Sequence, residues 1–579
     1  MTTVLVGHRG VGKSTLLERL AQYGFNVLDL DLYIEQREGH TIAEIFATSG
    51  EAYFRILEKK CFVEAMVMEP HFISMGAGFN FDLPKSIKVV WIKRTTDKMG
   101  RIFLNRPRLD LTLTPLEEYL RNFELRDKKF SKICDQIYVL PEGRFEPSES
   151  EKNILGGGGL NVGATLTVFP RVFESRDGIN CYFERCRPWG VSFFELRNDF
   201  LSENNIALAL KYIPNSQLLF SIRKKIESLP SGVSDFDWAL ELGECPFPNP
   251  RIYSLHTRSD ELSFESTLRK LEQYQKGGTH IKLAVEIKSF SELVLGHKWQ
   301  REDQSQRSFL PTSDDGRWLW YRVLQKGKQK LNFVNEGFSN VLDQPSMMDW
   351  LSAPVSESFA AVLGDPIEHS FSPEEHQEFF SKRKLPFVKI RVSESEWSEA
   401  IAVLESLGLK YAAVTSPLKK IALRPDTINT IYYNGKWQGA NTDLDGLKEF
   451  FEVIKDESVA VWGGGGLLES INSFLPKAKY YSARTGKNRD GSTSEILPEV
   501  VVWAVGRGRL NKYPPKEWRP RLILDLNYTD DSPGKEYALQ TGADYQDGNK
   551  MFKAQARAQR KFWQLCELPI KAELEGELL

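Results

Sequence analysis

The chain is poor in cysteine. Six cysteines (Cys61, Cys134, Cys181, Cys186, Cys245 and Cys566) are spread over 579 residues, with no CxxC pair and no spacing suited to zinc. That excludes a disulfide framework and a zinc-finger class, and reduced thiols in a cytoplasm are the expectation. Net charge is also nearly absent, with 76 Lys+Arg against 78 Asp+Glu. The balance argues against general electrostatic attraction to nucleic acid. No apolar run reaches the length of about 18 residues that a membrane helix needs. The N-terminus enters an apolar strand at once and lacks a signal-peptide layout. No internal repeat is evident.

What is present is a soluble globular composition, 41% hydrophobic and 27% charged, in a chain long enough for three or four domains. Residues 1–145 alternate apolar runs (Val4-Leu5-Val6, Val27-Leu28, Val89-Val90-Trp91-Ile92) with helical patterns, as a parallel sheet covered on both faces requires. A polar stretch ending in Gly156-Gly157-Gly158-Gly159 reads as a linker over 146–159. From 160 to 352, strand-like runs end on polar residues and give way to helical stretches, the habit of a (β/α)8 barrel with some helices trimmed. The βα pattern restarts over 355–579, with a second nucleotide-type turn after Val459-Ala460-Val461-Trp462.

The first chemistry-bearing motif is Gly7-His8-Arg9-Gly10-Val11-Gly12-Lys13-Ser14, between an apolar strand and a helical pattern. This is the context of a phosphate-binding loop. Glycines let N–H groups point at phosphate oxygens, lysine neutralises charge, and a hydroxyl can ligand Mg2+. The nucleotide set is Gly7, Gly10, Gly12, Lys13, Ser14 and Thr15. Asp29-Leu30-Asp31 is expected to end the next strand with both carboxylates facing the site. With Phe54-Arg55, Gly76-Ala77-Gly78, Arg106-Pro107 and Arg126, this region resembles the shikimate kinase family over essentially all of the first domain. The resemblance implies Ser14 and Asp29 near Mg2+, and Asp31 at the acceptor hydroxyl as a base. It implies Arg55 and Arg126 on the substrate carboxylate, Gly78 lining the ring, and Arg106 on a lid over the ATP phosphates.

The second constellation centres on Lys282, a cation inside the apolar run Ile281-Lys282-Leu283-Ala284-Val285. Burial lowers an amine pKa and makes it a nucleophile toward carbonyls. His256 ends an earlier strand, and Glu195 and Arg197 alternate onto one face of another. Lysine, a histidine acid/base and an arginine carboxylate clamp together suit dehydration of a β-hydroxy ketone. These residues, with Ser221-Ile222-Arg223, Glu227, Tyr321-Arg322 and Gln344, resemble type I 3-dehydroquinate dehydratase. By that likeness Lys282 carries the Schiff base, His256 moves protons and Glu227 assists it. Arg223, Arg322 and Gln344, with Glu195 and Arg197, bind substrate.

The third set joins Ser370-Phe371-Ser372-Pro373, Thr415-Ser416-Pro417-Leu418-Lys419 and Asn441-Thr442-Asp443. A lysine and an aspartate in one cleft can shuttle an alcohol proton during hydride transfer. The set resembles shikimate dehydrogenase over residues 359–563, which implies Lys419 and Asp443 as the catalytic pair. Ser370, Ser372, Thr415, Asn429 and Gln555 would bind substrate. Gly463, Gly464, Gly465 and Gly466 follow an apolar strand, as a pyrophosphate turn does. Arg484, Thr485 and Lys487 follow the next strand, where cations suit the 2′-phosphate of NADP(H). The last region would divide at 355–450 for substrate and 456–545 for a Rossmann domain, with C-terminal helices returning to the former.

The expected fold class is thus multidomain α/β: a three-layer P-loop kinase domain, a (β/α)8 barrel, and a substrate domain plus a Rossmann NADP-binding domain. The order resembles the C-terminal three domains of the pentafunctional arom polypeptide. It implies a cytoplasmic, trifunctional enzyme using ATP, Mg2+ and NADP(H) on small-molecule substrates, with no nucleic acid or membrane partner and a homodimer as one possible assembly. Two alternatives stay open at this point: a non-catalytic, metabolite-sensing repressor-like homologue, or an enzyme with one degenerate domain.

Overall fold

The computed structural model describes residues 2–84, 87–103, 112–140, 161–174, 178–258, 262–339, 341–423, 427–454, 457–491, 497–506 and 512–568. The linker expected over 146–159 and Arg106 lie outside them. The chain forms two compact units: Met1–Arg94 with Lys129–Ala361 and Phe380–Leu409, and Thr95–Lys128 with Val362–Phe379 and Lys410–Leu579.

The first sheet contains β1 (Thr3–Gly7), β2 (Val27–Asp29), β3 (Phe72–Ser74), β4 (Lys88–Lys93) and β5 (Gln136–Val139), all parallel in the order β2-β3-β1-β4-β5. Every residue of β1 is buried, as a strand covered on both faces must be. Val4, Val6, Val89 and Trp91 pack into one core cluster, and Leu5, Val90 and Ile92 into another. The order reverses beside β1, which places the phosphate-loop motif at a topological switch point.

The second sheet holds β6 (Thr165–Thr167), β7 (Phe193–Arg197), β8 (Leu218–Ile222), β9 (Phe236–Ala239), β10 (Ile252–Leu255), β11 (His280–Leu283), β12 (Arg307–Phe309) and β13 (Phe333–Val334). All pairings are parallel, and β13 pairs with β6. That is the strand sequence of a (β/α)8 barrel, with no ladder joining β12 to β13 among the described residues. The outer face packs Leu166, Phe194, Leu196, Phe220 and Trp238. Helices follow β10 to β13, while β9 is followed by a single 3-10 turn, Leu240–Leu242, so the layer is trimmed as its length required.

A third sheet, β14 (Phe359–Gly364), β15 (Phe387–Arg391), β16 (Leu409–Val414), β17 (Thr430–Tyr433) and β18 (Trp437–Ala440), has the order β15-β14-β16-β17-β18 and an antiparallel edge at β16-β17-β18. The fourth, β19 (Val459–Gly463), β20 (Lys479–Tyr481), β21 (Val500–Ala504), β22 (Leu522–Asp525) and β23 (Asp544–Gln546), is wholly parallel in the order β20-β19-β21-β22-β23. It again reverses at the strand that precedes a glycine-rich turn. Helix Asn549–Glu567 then packs on helix Asp443–Phe451. The expected α/β fold class holds.

Candidate active sites

Gly7 ends β1 hard against β4: a Cβ there would lie 2.5 Å from the Ile92 carbonyl oxygen. Gly10 and Gly12 take φ of 75° and 107°, which glycine tolerates freely. The turn enters helix Lys13–Gln22, whose first N–H groups lack helical partners and suit an anion. Lys13 Nζ reaches back over the loop to the Gly7 and His8 carbonyl oxygens, at 3.1 and 3.2 Å. Ser14 Oγ donates to Asp29 Oδ2 at 2.6 Å. These are hard oxygens, and together with phosphate and water they fit Mg2+, which takes few protein ligands. Thr15 follows, exposed.

The expectation of both aspartates on a strand end is corrected. β2 stops at Asp29, and Asp31 lies in the first turn of helix Leu30–Glu38, where Asp29 Oδ1 caps the Asp31 N–H at 3.1 Å. The cap competes successfully with strand extension because it satisfies orphan donors. Burial, then the neighbouring Asp29 charge, pushes the Asp31 carboxyl up. Arg55 pairs with Glu58 and Glu51, each at 2.9 Å. A Cβ at Gly78 would lie 2.4 Å from Arg55 Nη2, and one at Gly76 would lie 2.8 Å from Glu58 Oε1 and 3.0 Å from Asp31 Oδ1. Asp31, Arg55 and Glu58 therefore converge on this loop, and its middle residue, Ala77, is half-buried. Glu58 is 0% exposed, and burial pushes it up to about 7 against the opposing charge of Arg55. Sequence reasoning gave Glu58 no role, although its three-residue spacing from Arg55 on a helix was a usable signal. Arg126 sits half-buried on helix Pro115–Ile133.

In the barrel, Lys282 is 3% exposed and donates to Asp237 Oδ2 at 2.6 Å. Its register neighbours are Ser254 on β10 and Ser308 on β12, small side chains that leave room beside the amine. Arg223, just past β8, donates to the same Asp237 oxygen at 2.5 Å. Glu195 accepts from Thr167 and Ser221 at 2.8 and 2.7 Å. Gln344 Nε2 donates to Thr167 Oγ1 at 3.2 Å. Arg322 is 5% exposed, and its Nε has no hydrogen-bond partner among the described residues. Burial brings its guanidinium down to about 10. A buried cation short of partners favours an anionic ligand.

Burial lowers the Lys282 ammonium despite Asp237. Burial also works against the Asp237 charge, yet Arg223, Lys282 and His256 hold its carboxyl well below the usual range. His256 is pushed down to about 4, by burial first and then by Arg223. Its Nδ1 lies 3.5 Å from Glu241 Oε2. Glu241 also accepts from the His256 and Thr257 N–H groups; burial works against its charge, but the interactions with His256 and the backbone N–H groups together hold it at about 2. Here one expectation is corrected. Glu227 is exposed on the loop after β8, and the carboxylate at His256 is Glu241, because the 3-10 turn after β9 delivers it there. Arg197 is engaged by Asp199 at 3.0 and 2.7 Å. Asp237 was missed, though a carboxylate inside the apolar run Phe236-Asp237-Trp238-Ala239 is the same signal that marked Lys282.

In the third site, Lys419 Nζ donates to Asp443 Oδ2 at 2.5 Å, and Asn429 Nδ2 donates to Asp443 Oδ1 at 2.8 Å. Asp443 is 2% exposed. Ser370 and Ser372 are buried, with their hydroxyls 3.2 Å apart. Thr415 starts the turn to Lys419, and a Cβ at Gly364 would lie 2.3 Å from its Cγ2, so glycine lets that turn approach β14. Gln555 is half-buried on helix Asn549–Glu567, its Cβ 3.3 Å from where Gly446 would carry one.

The glycine turn after β19 fits a pyrophosphate. A Cβ at Gly463 would lie 2.7 Å from the Ala504 carbonyl oxygen, one at Gly464 would lie 2.6 Å from Leu468, and one at Gly465 would meet open space. Gly466 continues the turn as part of the 3-10 segment Gly465–Leu467. Arg484, Thr485 and Lys487 lie exposed on the turn after β20. Two further cations, not singled out from sequence, reach the same turns: Arg489 donates to Gly463 O at 3.1 Å, and Lys512 to Thr485 O at 3.3 Å. Arg489 lies two residues beyond Lys487, whereas Lys512 arrives from a loop distant in sequence.

Fold and sites thus define a multidomain α/β protein with a P-loop kinase domain and a Rossmann-type dehydrogenase domain. Residues 9–141 match the family model of shikimate kinase, and residues 362–440 that of the shikimate dehydrogenase substrate binding domain. The chain is 49% identical to a shikimate kinase of Mycobacterium ulcerans over 76 residues, 13% of this chain and 41% of that one. It is 38% identical to that of Zymomonas mobilis over 107 residues, 17% and 60% of the two chains. The chain thus spans about two-fifths to three-fifths of the length of the curated relatives it matches. A solved shikimate dehydrogenase of Aquifex aeolicus aligns at 25% identity, over 37% of this chain and 94% of that one, with a TM-score of 0.31.

Proposed function

We propose that the chain catalyses three steps on related substrates. It dehydrates 3-dehydroquinate to 3-dehydroshikimate, reduces that to shikimate with NADPH, and phosphorylates shikimate with ATP. The observation that carries the reading is Lys282: an amine 3% exposed, held by Asp237 in a pocket that also draws in His256, Arg223 and Arg322. Ligand binding alone has no use for a buried nucleophile there. This favours an enzyme over a metabolite sensor and speaks against a degenerate middle domain.

In the barrel, the Arg322 guanidinium holds the substrate carboxylate. Lys282 attacks the ketone, and two protons of its ammonium leave with the ketone oxygen as water, giving an iminium that acidifies the adjacent carbon. His256, neutral because its pKa is near 4, takes that proton and returns it to the departing hydroxyl. Water then hydrolyses the iminium.

In the dehydrogenase site, Ser370, Ser372, Thr415, Asn429 and Gln555 orient the substrate, and the Lys419–Asp443 pair gives or takes the alcohol proton. NADP(H), when bound, supplies or accepts the hydride; Gly463 to Gly466 would hold its pyrophosphate, and Arg484, Thr485 and Lys487 its 2′-phosphate. In the kinase site, Asp31 receives the acceptor proton, Arg55 with Arg126 fixes the carboxylate, and Gly78 lines the ring. ATP, when bound, supplies the phosphoryl group; Lys13 would neutralise it, and Ser14 with Asp29 would hold Mg2+.

The test follows each product. Purified chain given 3-dehydroquinate, NADPH, ATP and Mg2+ is expected to make shikimate 3-phosphate. Lys282→Ala should stop the sequence at the first step, be rescued by added 3-dehydroshikimate, and leave the other two activities unchanged. Failure of the rescue, or wild-type turnover from 3-dehydroquinate in the variant, contradicts the reading.

A further inference from the structure

A line of hydrogen bonds runs from Arg560 to the Lys419–Asp443 pair. Arg560 Nη1 lies 3.3 Å from His376 Nδ1, and His376 Nε2 lies 2.9 Å from Gln559 Oε1. Gln559 Nε2 donates to the Asn429 carbonyl oxygen at 3.3 Å, and Asn429 Nδ2 donates to Asp443 Oδ1 at 2.8 Å. The two ends fix the polarity of everything between them. A guanidinium only donates, and a backbone carbonyl only accepts. His376 Nδ1 must therefore accept, its Nε2 carries the hydrogen, and Gln559 turns its oxygen to His376 and its nitrogen to Asn429.

The line is buried and held at both ends. His376 and Gln559 are 0% and 3% exposed. Trp563 packs edge-on to the imidazole at 5.0 Å between ring centroids. Burial, then the charge of Arg560, pushes His376 down to about 3, so the ring stays neutral. Arg560 is itself held by the Glu375 carbonyl and carboxylate, at 3.1 and 3.2 Å. Asn429 has no slack: its Oδ1 also accepts from the Thr442 N–H and hydroxyl, at 2.8 and 3.0 Å. Moving its backbone moves the donor on Asp443. Gln559 is one helical turn beyond Gln555, so the same contact fixes the register of the helix that brings Gln555 to the substrate.

We propose that Arg560, His376 and Gln559 are positioning residues for the Lys419–Asp443 pair, tying helix Asn549–Glu567 to Asn429 and so aiming Asp443 at the alcohol proton. The inference rests on the dehydrogenase reading above. None of the three reaches the reacting atoms.

The test uses NADP+-dependent oxidation of shikimate by the full chain. His376→Leu and Gln559→Met are expected to lower kcat between about 10- and 100-fold, the scale of a misplaced catalytic group. The KM for shikimate should rise, while the KM for NADP+ stays put. His376→Gln, which can place an amide N–H near the lost Nε2, should recover most of kcat. If His376→Leu does not fold, Gln559→Glu takes its place: it keeps the acceptor for His376, loses the donor to Asn429, and should show the same kcat fall. His376→Gln as impaired as His376→Leu, or both KM values rising together with a fallen melting temperature, would reduce the line to a structural role and overturn the proposal. A wild-type chain that does not oxidise shikimate would instead remove the dehydrogenase reading itself.

Discussion

Two residues carry pKa shifts of opposite direction and common origin, burial of the charged form. In the proposed dehydration His256 works as a neutral base, and its folded pKa near 4 lies below the ordinary value of 6.5. Burial of a cation is the main cause, so the neutral form persists well into acid. Dehydration of 3-dehydroquinate should accordingly hold its kcat/KM down to about pH 5 and fall as the pH drops through about 4; a limb near 6.5 in a pH–rate profile would contradict this. Glu58 is displaced the other way, from 4.5 to about 7. Its contribution to stability is fully present below about 4.5 and is lost as pH rises through about 7, where a buried carboxylate must ionise. Glu58→Gln cannot ionise, so its melting temperature should change less between pH 5 and 8 than that of the wild type. Equal slopes for the two proteins would assign the buried charge elsewhere. Neither shift could be read from the chain. The residue types were visible, but desolvation belongs to the folded surroundings.

At the scale of elements, the turns after β1 and β19 decide what can bind. Both follow a buried parallel strand, and in both a Cβ at the strand's last glycine, Gly7 or Gly463, would strike the backbone of a neighbouring strand. Gly463 also has φ of 101°. Gly463→Ala should raise the KM for NADP+ at least about tenfold and cost about 1–3 kcal/mol in stability through strain, with kinase turnover unchanged; an unaffected KM would place the cofactor away from this turn. These turns were legible because glycine spacing after an apolar strand has a local cause. The middle site was legible only in part. Lys282 announced itself as a cation inside an apolar run and His256 as a polar residue at the end of one. Glu227 did not hold the role the resemblance implied, since it stays exposed on the loop after β8 while the 3-10 turn after β9 turns Glu241 toward His256. Which of two nearby loops reaches a histidine is set by tertiary packing, not by periodicity. Asp31 moved from strand to helix for a local reason, the Asp29 cap, that the motif Asp29-Leu30-Asp31 contained but hydrophobic pattern alone did not reveal.

For the whole molecule, the proposed chemistry divides among the sheets of the described residues: phosphoryl transfer beside β1, imine chemistry at Lys282 on β11, and proton transfer at Lys419 and Asp443, with the cofactor turn after β19. The α/β class followed from the sequence, because apolar runs alternate with helical patterns along it. The barrel's missing β12–β13 ladder did not follow, since closure depends on how eight strands stagger together. The central claim is that the middle domain is chemically alive. It is tested most directly by treating the purified chain with 3-dehydroquinate and borohydride and measuring the intact mass. The account predicts a covalent adduct on the wild type that disappears in Lys282→Ala. A folded wild type that takes up no mass, or an adduct that persists in the variant, would contradict it.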